Sequence, residues 1–391
     1  MVAGPFLKSS QPKVSQVMPT TTLKVALVSY NFGEYCVRLA SGLTQRADVL
    51  LLLPSQLAGP HLSSLDPRLD FQPFDKPRLR QPGRQLRLGL DLIRRVRAFD
   101  PDVVHLQHGH LWFNGFLPLL RRYPLVLTVH DPRHHVGDRV SQKTPQRIMD
   151  FGFRRASRLI VHARKLKEVI VGECGIPAEI VDVVPHISLG SAIDPMPWHE
   201  HPPTVLFFGR IWEYKGLEYL IRAEPLIAAD IPDVRIVIAG EGEDFTRYRR
   251  MMIHPERFTV YNEYVSEERC AELFRQASVV ALPYVEASQS GVIPLAYTHM
   301  KPVVATIAGG LPEMVDDGRT GYLVPPRDER ALADAIVRLL RDKALRQQMG
   351  LNGRQKLDAE CGPAVVANAT LAVYQRALDG ARPPAPLAAV H

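Results

Sequence analysis

The stretch TVLFFGRIWEYKGLEYLIRA (204–223) sets the fold of this chain. Thr204 to Phe208 is short, β-branched or aromatic, and continuously apolar, the pattern of a strand buried on both faces. Gly209 ends it with the freedom for a sharp turn or a close backbone approach. Arg210 follows at once, and Lys215 with Gly216 opens an amphipathic helical pattern. Strand, tight turn and helix in that order make a βα unit, and open parallel sheets bind ligands at the carboxyl ends of their strands. Two cations five residues apart on that edge suit a diphosphate, with Arg gripping oxygens in bidentate fashion and Lys supplying a mobile point charge. The competing reading is a solvated helix start, but the helix dipole disfavours cations there unless an anion offsets them.

The same unit recurs on either side. In the first half the strand runs are LKVALVS (23–29), DVLLLL (48–53), DVVHL (102–106), PLVLTV (124–129), RLIVH (158–162) and VDVV (181–184). In the second they are TVLFF (204–208), VRIVIA (234–239), RFTVY (257–261), SVVALP (278–283) and KPVVAT (301–305). Helical stretches lie between them, such as Gln85 to Phe99, with Leu86, Leu90, Ile93 and Phe99 near one side. Repeated βα units give parallel sheets with right-handed crossovers. The fold expected is α/β, with two doubly wound, Rossmann-like parallel-sheet domains facing across a cleft that holds the site. The boundaries expected are a loose tail at 1–22, a first domain at 23–193, a proline-rich linker at 194–203 (DPMPWHEHPP), a second domain at 204–362, a last helix at 363–380 and a tail at 381–391. The closing ARPPAPLAAVH has too little to bury.

Length and composition agree. The 391 residues favour two domains, and 46% hydrophobic with 23% charged residues is ordinary for globular cores. No apolar run nears the ~18 residues that span a bilayer, and the first 22 residues hold no stretch long enough for a signal peptide. Cys36, Cys174, Cys270 and Cys361 lie far apart with no CxxC pair, which excludes a zinc ribbon or a disulfide scaffold and fits a reducing cytoplasm. Residues 1–200 carry 26 Lys and Arg against 17 Asp and Glu, leaving 22 against 24 in the remainder, so the halves suit different partners.

Three further loops follow strands. SQSGVIPLAY (288–297) offers Ser288, Ser290 and the N–H groups of Gly291 and Val292 as an anion seat, with a plain helix cap as the alternative. TIAGGLPEMVDDGRTGYLVPP (306–326) places Gly309-Gly310 where a loop comes close to a ligand, and Glu313 in the next turn. VIAGEGED (237–244) turns on Gly-Glu-Gly but lacks the third glycine of a dinucleotide fingerprint. In the first half, His105, His108 and His110 (HLQHGH), with His134-His135, invite a zinc reading. No nearby Cys, Asp or Glu completes a set, so a cleft-loop or acceptor role is preferred. A triad of Asp131, a histidine and a serine lacks the GxSxG elbow.

FFGRIWEYKG, the IAGEGE turn, LPYVEASQSG and AGGLPEMVDDGRTGYLVP together resemble glycosyltransferase family 4 in order and spacing. The resemblance is strong over 204–330. It is looser in the first half, where KVALVS, PDVVHLQHGH, LVLTVHD and VVPHISLG look like the equivalent strand ends. It implies the GT-B fold and retaining sugar transfer from a nucleotide sugar. It implies that Arg210 and Lys215, beside Gly209, clamp the donor diphosphate, and that the backbone near Tyr264 and Val265 meets the base. It places His130 beside the transferred sugar, and Gly33 in the first loop, near phosphates and acceptor, where the family has a Gly-Gly pair. The family's two glutamates eight positions apart fall on Ser288 and Ala296, with Glu286 just ahead. The donor-side set is thus Glu286, Ser288, Gln289, Ser290, Gly291 and Val292, and a branch with SQSGV in this place is familiar within the family.

The function expected is transfer of a sugar from a UDP- or GDP-linked donor to a glycan, lipid-linked or other hydroxyl acceptor. Arg210, Lys215 and the N–H groups at 291–292 would stabilise the leaving phosphate, which would take the acceptor's proton, so that no metal or cofactor is required. Between Lys76 and Arg97 lie eight Lys or Arg and one acid, interleaved with leucines, which fits either a solvated face or peripheral contact with an anionic membrane. Nucleic acid is not expected, for lack of an aromatic stacking platform. The location expected is the cytoplasm, extending to the inner face of a membrane if docking is real. Two alternatives remain at this point: a non-catalytic GT-B-like binding or membrane-surface protein, prompted by the missing glutamates, and a nucleotide-sugar epimerase.

Overall fold

A computed structural model describes residues 22–135, 144–190 and 202–381. Apart from Thr22 and Ala381, the two expected tails lie outside the described residues, as does most of the 194–203 linker. The first sheet has seven strands: β1 (Leu23–Ser29), β2 (Ala47–Pro54), β3 (Asp70–Phe74), β4 (Val103–Gln107), β5 (Leu125–Thr128), β6 (Arg158–Val161) and β7 (Val181–Val183). Their order is β3-β2-β1-β4-β5-β6-β7, every pair parallel. The second has six: β8 (Thr204–Phe208), β9 (Arg235–Ala239), β10 (Phe258–Tyr261), β11 (Val279–Leu282), β12 (Val303–Thr306) and β13 (Gly321–Val324). They run β10-β9-β8-β11-β12-β13, again all parallel.

Alternation along β1 explains its continuous apolar run. Val25 and Leu27 enter one core and Ala26 and Val28 the other, so both faces are buried under helices. In β8, Val205 and Phe207 pack on one side of the sheet and Leu206 on the other. Strand order reverses between β1 and β4 and between β8 and β11. At such switch points the loops diverge and leave a crevice.

Two strands escaped the sequence pattern. β3 (DFQPF) is interrupted by Gln72 and Pro73, the latter tolerated because β3 is an edge strand, and β13 (GYLV) is four residues with two only partly buried. The helix Pro82–Phe99 also corrects an expectation. Its inner face is Gln85, Gly89, Leu92, Ile93 and Val96, while Leu86 and Leu90 are 48% and 57% exposed.

The last helix, Pro363–Ala381, returns to the first domain. Val366, Val373, Tyr374 and Ala377 complete the core beneath the helix Gly33–Leu43. Arg376 pairs with Asp182 at 2.9 Å, and Tyr374 Oη lies 2.6 Å from His105 Nδ1. Among the described residues, no helix is long and apolar enough to cross a membrane.

Candidate functional site

The loops after β8 and β11 form one wall of the cleft. Gly240 and Gly242 hold the first loop from behind: a Cβ at either would lie 2.1 Å from the carbonyl oxygens of Gly209 and Ile211 respectively. The Gly-Glu-Gly turn is therefore scaffold for Arg210. Arg210 is exposed and its guanidinium donates to Tyr214 Oη at 3.3 Å. Lys215 Nζ sits 3.7 Å from the centroid of Tyr284, the residue two after β11. The Tyr214 carbonyl accepts from Val285 N at 2.8 Å and Glu286 N at 3.3 Å, which joins the two loops. The expected cation pair thus shares one surface with the SQSG loop.

Ser290 Oγ accepts from Val292 N at 3.2 Å, so the N–H of Val292 is spent on its own turn and drops out of the expected anion seat. Gln289 is half-buried and its Oε1 has no partner. Gly309-Gly310 closes on protein backbone instead of a ligand: a Cβ on Gly309 would lie 1.5 Å from the Ala287 carbonyl oxygen, and Gly310 N donates to Ser288 O at 3.2 Å. Ala296 is fully buried. Tyr264 is exposed, while Val265 lines a cavity of about 340 Å³ with Phe208 and Glu267 on one side and Glu34 and Arg38 on the other.

Loops after β1, β4 and β5 make the opposite wall. His130 follows β5 and is 1% exposed; its Nε2 lies 3.0 Å from Gln107 Oε1 and its Nδ1 has no partner. Phe32 covers it face to face, with ring centroids 3.8 Å apart at 16°. Phe32 is itself unusual, with φ 58° and ψ 51°, a left-handed conformation that costs a bulky side chain. It stands immediately before Gly33, where a Cβ would meet the Leu57 carbonyl oxygen at 2.2 Å. His130 is therefore covered by the Phe32 ring.

Burial holds the surrounding histidines neutral. Desolvation and then the neighbouring histidines push His130 well below its ordinary value. Burial takes His105 and His162 down to about 3 and His186 to about 4. His110, stacked on Tyr30 at 3.9 Å, is lowered to about 3 by burial and then by Lys76. His108 is also lowered by burial, with φ 61°. His105 is a core residue, bound by Tyr374 and by Thr128 Oγ1 at 2.7 Å. Among the described residues, no group of three or more His, Cys, Asp or Glu could hold a metal ion.

The walls meet at His135. Its Nε2 lies 3.2 Å from Asp131 Oδ1 and 3.1 Å from Ser288 Oγ, across the domains. Its ring stacks on Tyr214 at 4.6 Å and 15°, and Nδ1 is 3.8 Å from Glu286 Oε2. Burial would raise the Asp131 carboxyl, but its hydrogen bonds to His135 and Ser288 help hold it below the usual carboxylate range. Glu313 adds a second bridge, capping the helix Arg164–Cys174 through Arg164 N at 2.8 Å and Lys165 N at 2.9 Å. Phe32, Asp131, His135 and Tyr214 were not assigned to the site from sequence. Asp131 and His135 enter the sequence reading only through the triad and zinc alternatives, and Phe32 and Tyr214 only through position in loops that follow strands.

This geometry puts Arg210 and Lys215 on one wall and the Asp131 carboxylate in the loop cluster opposite. The model of Glycosyltransferase Family 4 matches residues 33–187, and that of Glycosyl transferases group 1 matches 202–342. The chain is 30% identical over 347 residues to a D-inositol 3-phosphate glycosyltransferase of Mycobacterium bovis, covering 79% of this chain and 68% of that one. It is 28% identical over 323 residues to a glycogen synthase of Mycobacterium tuberculosis, covering 78% and 74%. In structure it is similar to sucrose-phosphate synthase from Thermosynechococcus elongatus, with TM-score 0.69 at 19% identity, covering 92% of this chain and 100% of that one.

Proposed function

This chain belongs to glycosyltransferase family 4, and we propose that, as a glycosyltransferase, it moves a sugar with retention from a UDP- or GDP-linked donor to a hydroxyl acceptor, a glycan or a lipid-linked compound. One observation carries the reading: Arg210 and Lys215 share a wall with the SQSG loop, and that wall meets Asp131 through His135. The anomeric C–O bond to the diphosphate breaks as the acceptor oxygen bonds to the same face of the sugar. The electron pair goes to the leaving β-phosphate, which accepts the acceptor's proton. Arg210 and Lys215 stabilise that charge, with the N–H of Gly291 as a further donor. Removing one such preorganised donor costs ~2.7–4 kcal/mol. Asp131 supplies a carboxylate at the sugar end, beside the serine that stands in place of the family's glutamate. His130 lies under the Phe32 ring. A non-catalytic role is not favoured, since the relatives are named as transferases and a synthase.

The test is thermal stability with UDP, GDP, ADP and dTDP and their sugar conjugates, followed by turnover with the nucleotide that binds. A ligand at 100 times its Kd adds ~2.7 kcal/mol. The shift should appear with one nucleotide and vanish in Arg210→Ala, with turnover down about 10²–10³-fold and the fold intact. No shift with any nucleotide, or near-normal turnover in Arg210→Ala, would overturn the reading. Peripheral membrane contact belongs to the same proposal, supported by the exposed Leu86 and Leu90 among arginines. Flotation with phosphatidylglycerol but not phosphatidylcholine vesicles is expected, and equal behaviour with both would refute it.

A further inference from the structure

A second cavity of about 340 Å³ lies between the two domains, open to solvent along a charged rim. His162 and His186, which follow β6 and β7, stand on one wall. Pro294 of the helix Val292–Thr298, Met314 and Leu357 of the helix Lys343–Cys361 stand on the other. Arg210, Lys215, Asp131 and His135 do not line it, so the donor reading leaves it unused. Cys361 also borders it, and Ser188 N donates to the Cys361 carbonyl at 2.8 Å. The cavity therefore sits where the end of the first domain is tied to the point at which the chain returns to it.

His162 selects what can bind. It is 7% exposed, and its Nδ1 lies 2.9 Å from the Val184 carbonyl oxygen. A carbonyl only accepts, so Nδ1 carries the proton, and burial keeps the ring neutral. Nε2 is then a lone-pair acceptor, buried and without a partner among the described residues. Such an atom is unfavourable until a donor reaches it. His186 is fixed in the same tautomer by the Ile187 carbonyl at 2.8 Å. The rim charges are spent elsewhere. Lys356 Nζ pairs with Asp316 at 2.7 Å and Glu360 at 3.4 Å, Glu313 caps the helix Arg164–Cys174, and Arg164 is exposed to solvent. An ion entering the cavity would lose its hydration with no counter-charge to replace it. A polyol would bring several hydroxyls to one acceptor and strand the others against Pro294, Met314 and Leu357. A cavity of roughly 150 Å³ already holds a benzene ring, so this one admits a larger aromatic body.

We propose that this cavity binds a neutral aromatic compound carrying one O–H or N–H donor, which bonds to His162 Nε2 while its ring packs on Pro294, Met314 and Leu357. Because its walls belong to different domains, the occupant holds them together and opposes opening of the cleft. Both follow from the cavity alone and not from the transferase reading above.

2-Naphthol is titrated by fluorescence against 2-methoxynaphthalene, the same ring without a donor. Saturable one-to-one binding is expected, about 10-fold tighter for the naphthol, the worth of one hydrogen bond. His162→Phe keeps a ring and removes the acceptor, so the two compounds should then bind equally. Met314→Trp fills the cavity and leaves His162 in place; it should abolish both, with a urea midpoint near that of the parent. X-ray scattering should give a smaller radius of gyration at saturating 2-naphthol, with no such change in Met314→Trp. Absence of saturable binding, or equal affinity of the two compounds for the parent, would overturn the recognition by His162. Binding that survives Met314→Trp would overturn the location. An unchanged or larger radius at saturation would overturn the effect on domain opening.

Discussion

Replacing Phe32 separates backbone strain from ring contact. Its ring is half-buried and stacked on His130 at 3.8 Å, so truncation to alanine forfeits roughly half of the ~3–5 kcal/mol lost when a fully buried Phe is truncated. That is about 2 kcal/mol. Alanine keeps the left-handed backbone and its cost of about 1–2 kcal/mol, which glycine does not carry. Glycine instead adds about 0.4–1 kcal/mol of freedom to the unfolded chain. Phe32→Gly should therefore be more stable than Phe32→Ala by about 0.8 kcal/mol, the difference between the middles of those two ranges, against the usual order within regular structure. Both variants should lie below the parent. Urea unfolding followed by N-terminal-domain fluorescence reads the order, and imidazole NMR should show His130 titrating closer to its ordinary range once uncovered. A Phe32→Ala protein as stable as Phe32→Gly or more so would refute the strain argument.

Acid should weaken the fold early. His105, His110, His162 and His186 have folded values of about 3 to 4, and His130 lies well below normal, whereas all five approach ~6.5 when unfolded. Unfolding then takes up protons below pH 6.5, so stability is full above that value and falls as pH drops toward 4, by up to ~2 kcal/mol per histidine at pH 5. An unchanged urea midpoint from pH 7 to 5 would contradict this. Glu313→Ala should uncap the helix Arg164–Cys174 across the domains, at a cost of ~1 kcal/mol. Faster amide exchange at Arg164 and Lys165 is the expected signature, with Glu313→Gln intermediate; unaltered exchange would remove the bridge from the account.

Much of the architecture was legible because burial on both faces leaves a mark in the chain. β1, β8, β11 and β12 read as unbroken apolar runs since helices cover each side. The edges β3 and β13 did not: DFQPF is interrupted by Gln72 and Pro73, and GYLV is four residues opened by a glycine. Leu86 and Leu90 misled for a related reason. Periodicity gives a stripe but not which stripe faces inward, and here Gly89 admits Phe116, whose ring atoms lie as close as 2.2 Å to where a Cβ would stand.

The sequence by itself determined the alternation of strands and helices, the two-sheet plan and the loops that carry Arg210, Lys215 and SQSG, because each depends on residues near one another in the chain. Tertiary structure alone decided which side chains meet. His135 reaches Ser288 across 153 positions, and His105 reaches Tyr374 across 269. Neither spacing has a local period that could announce it. Phe32 has a glycine-like backbone with its ring stacked on His130, which the sheet brings beside it. Local propensity sets the elements; the order of strands in the two sheets sets the chemistry of the cleft between them.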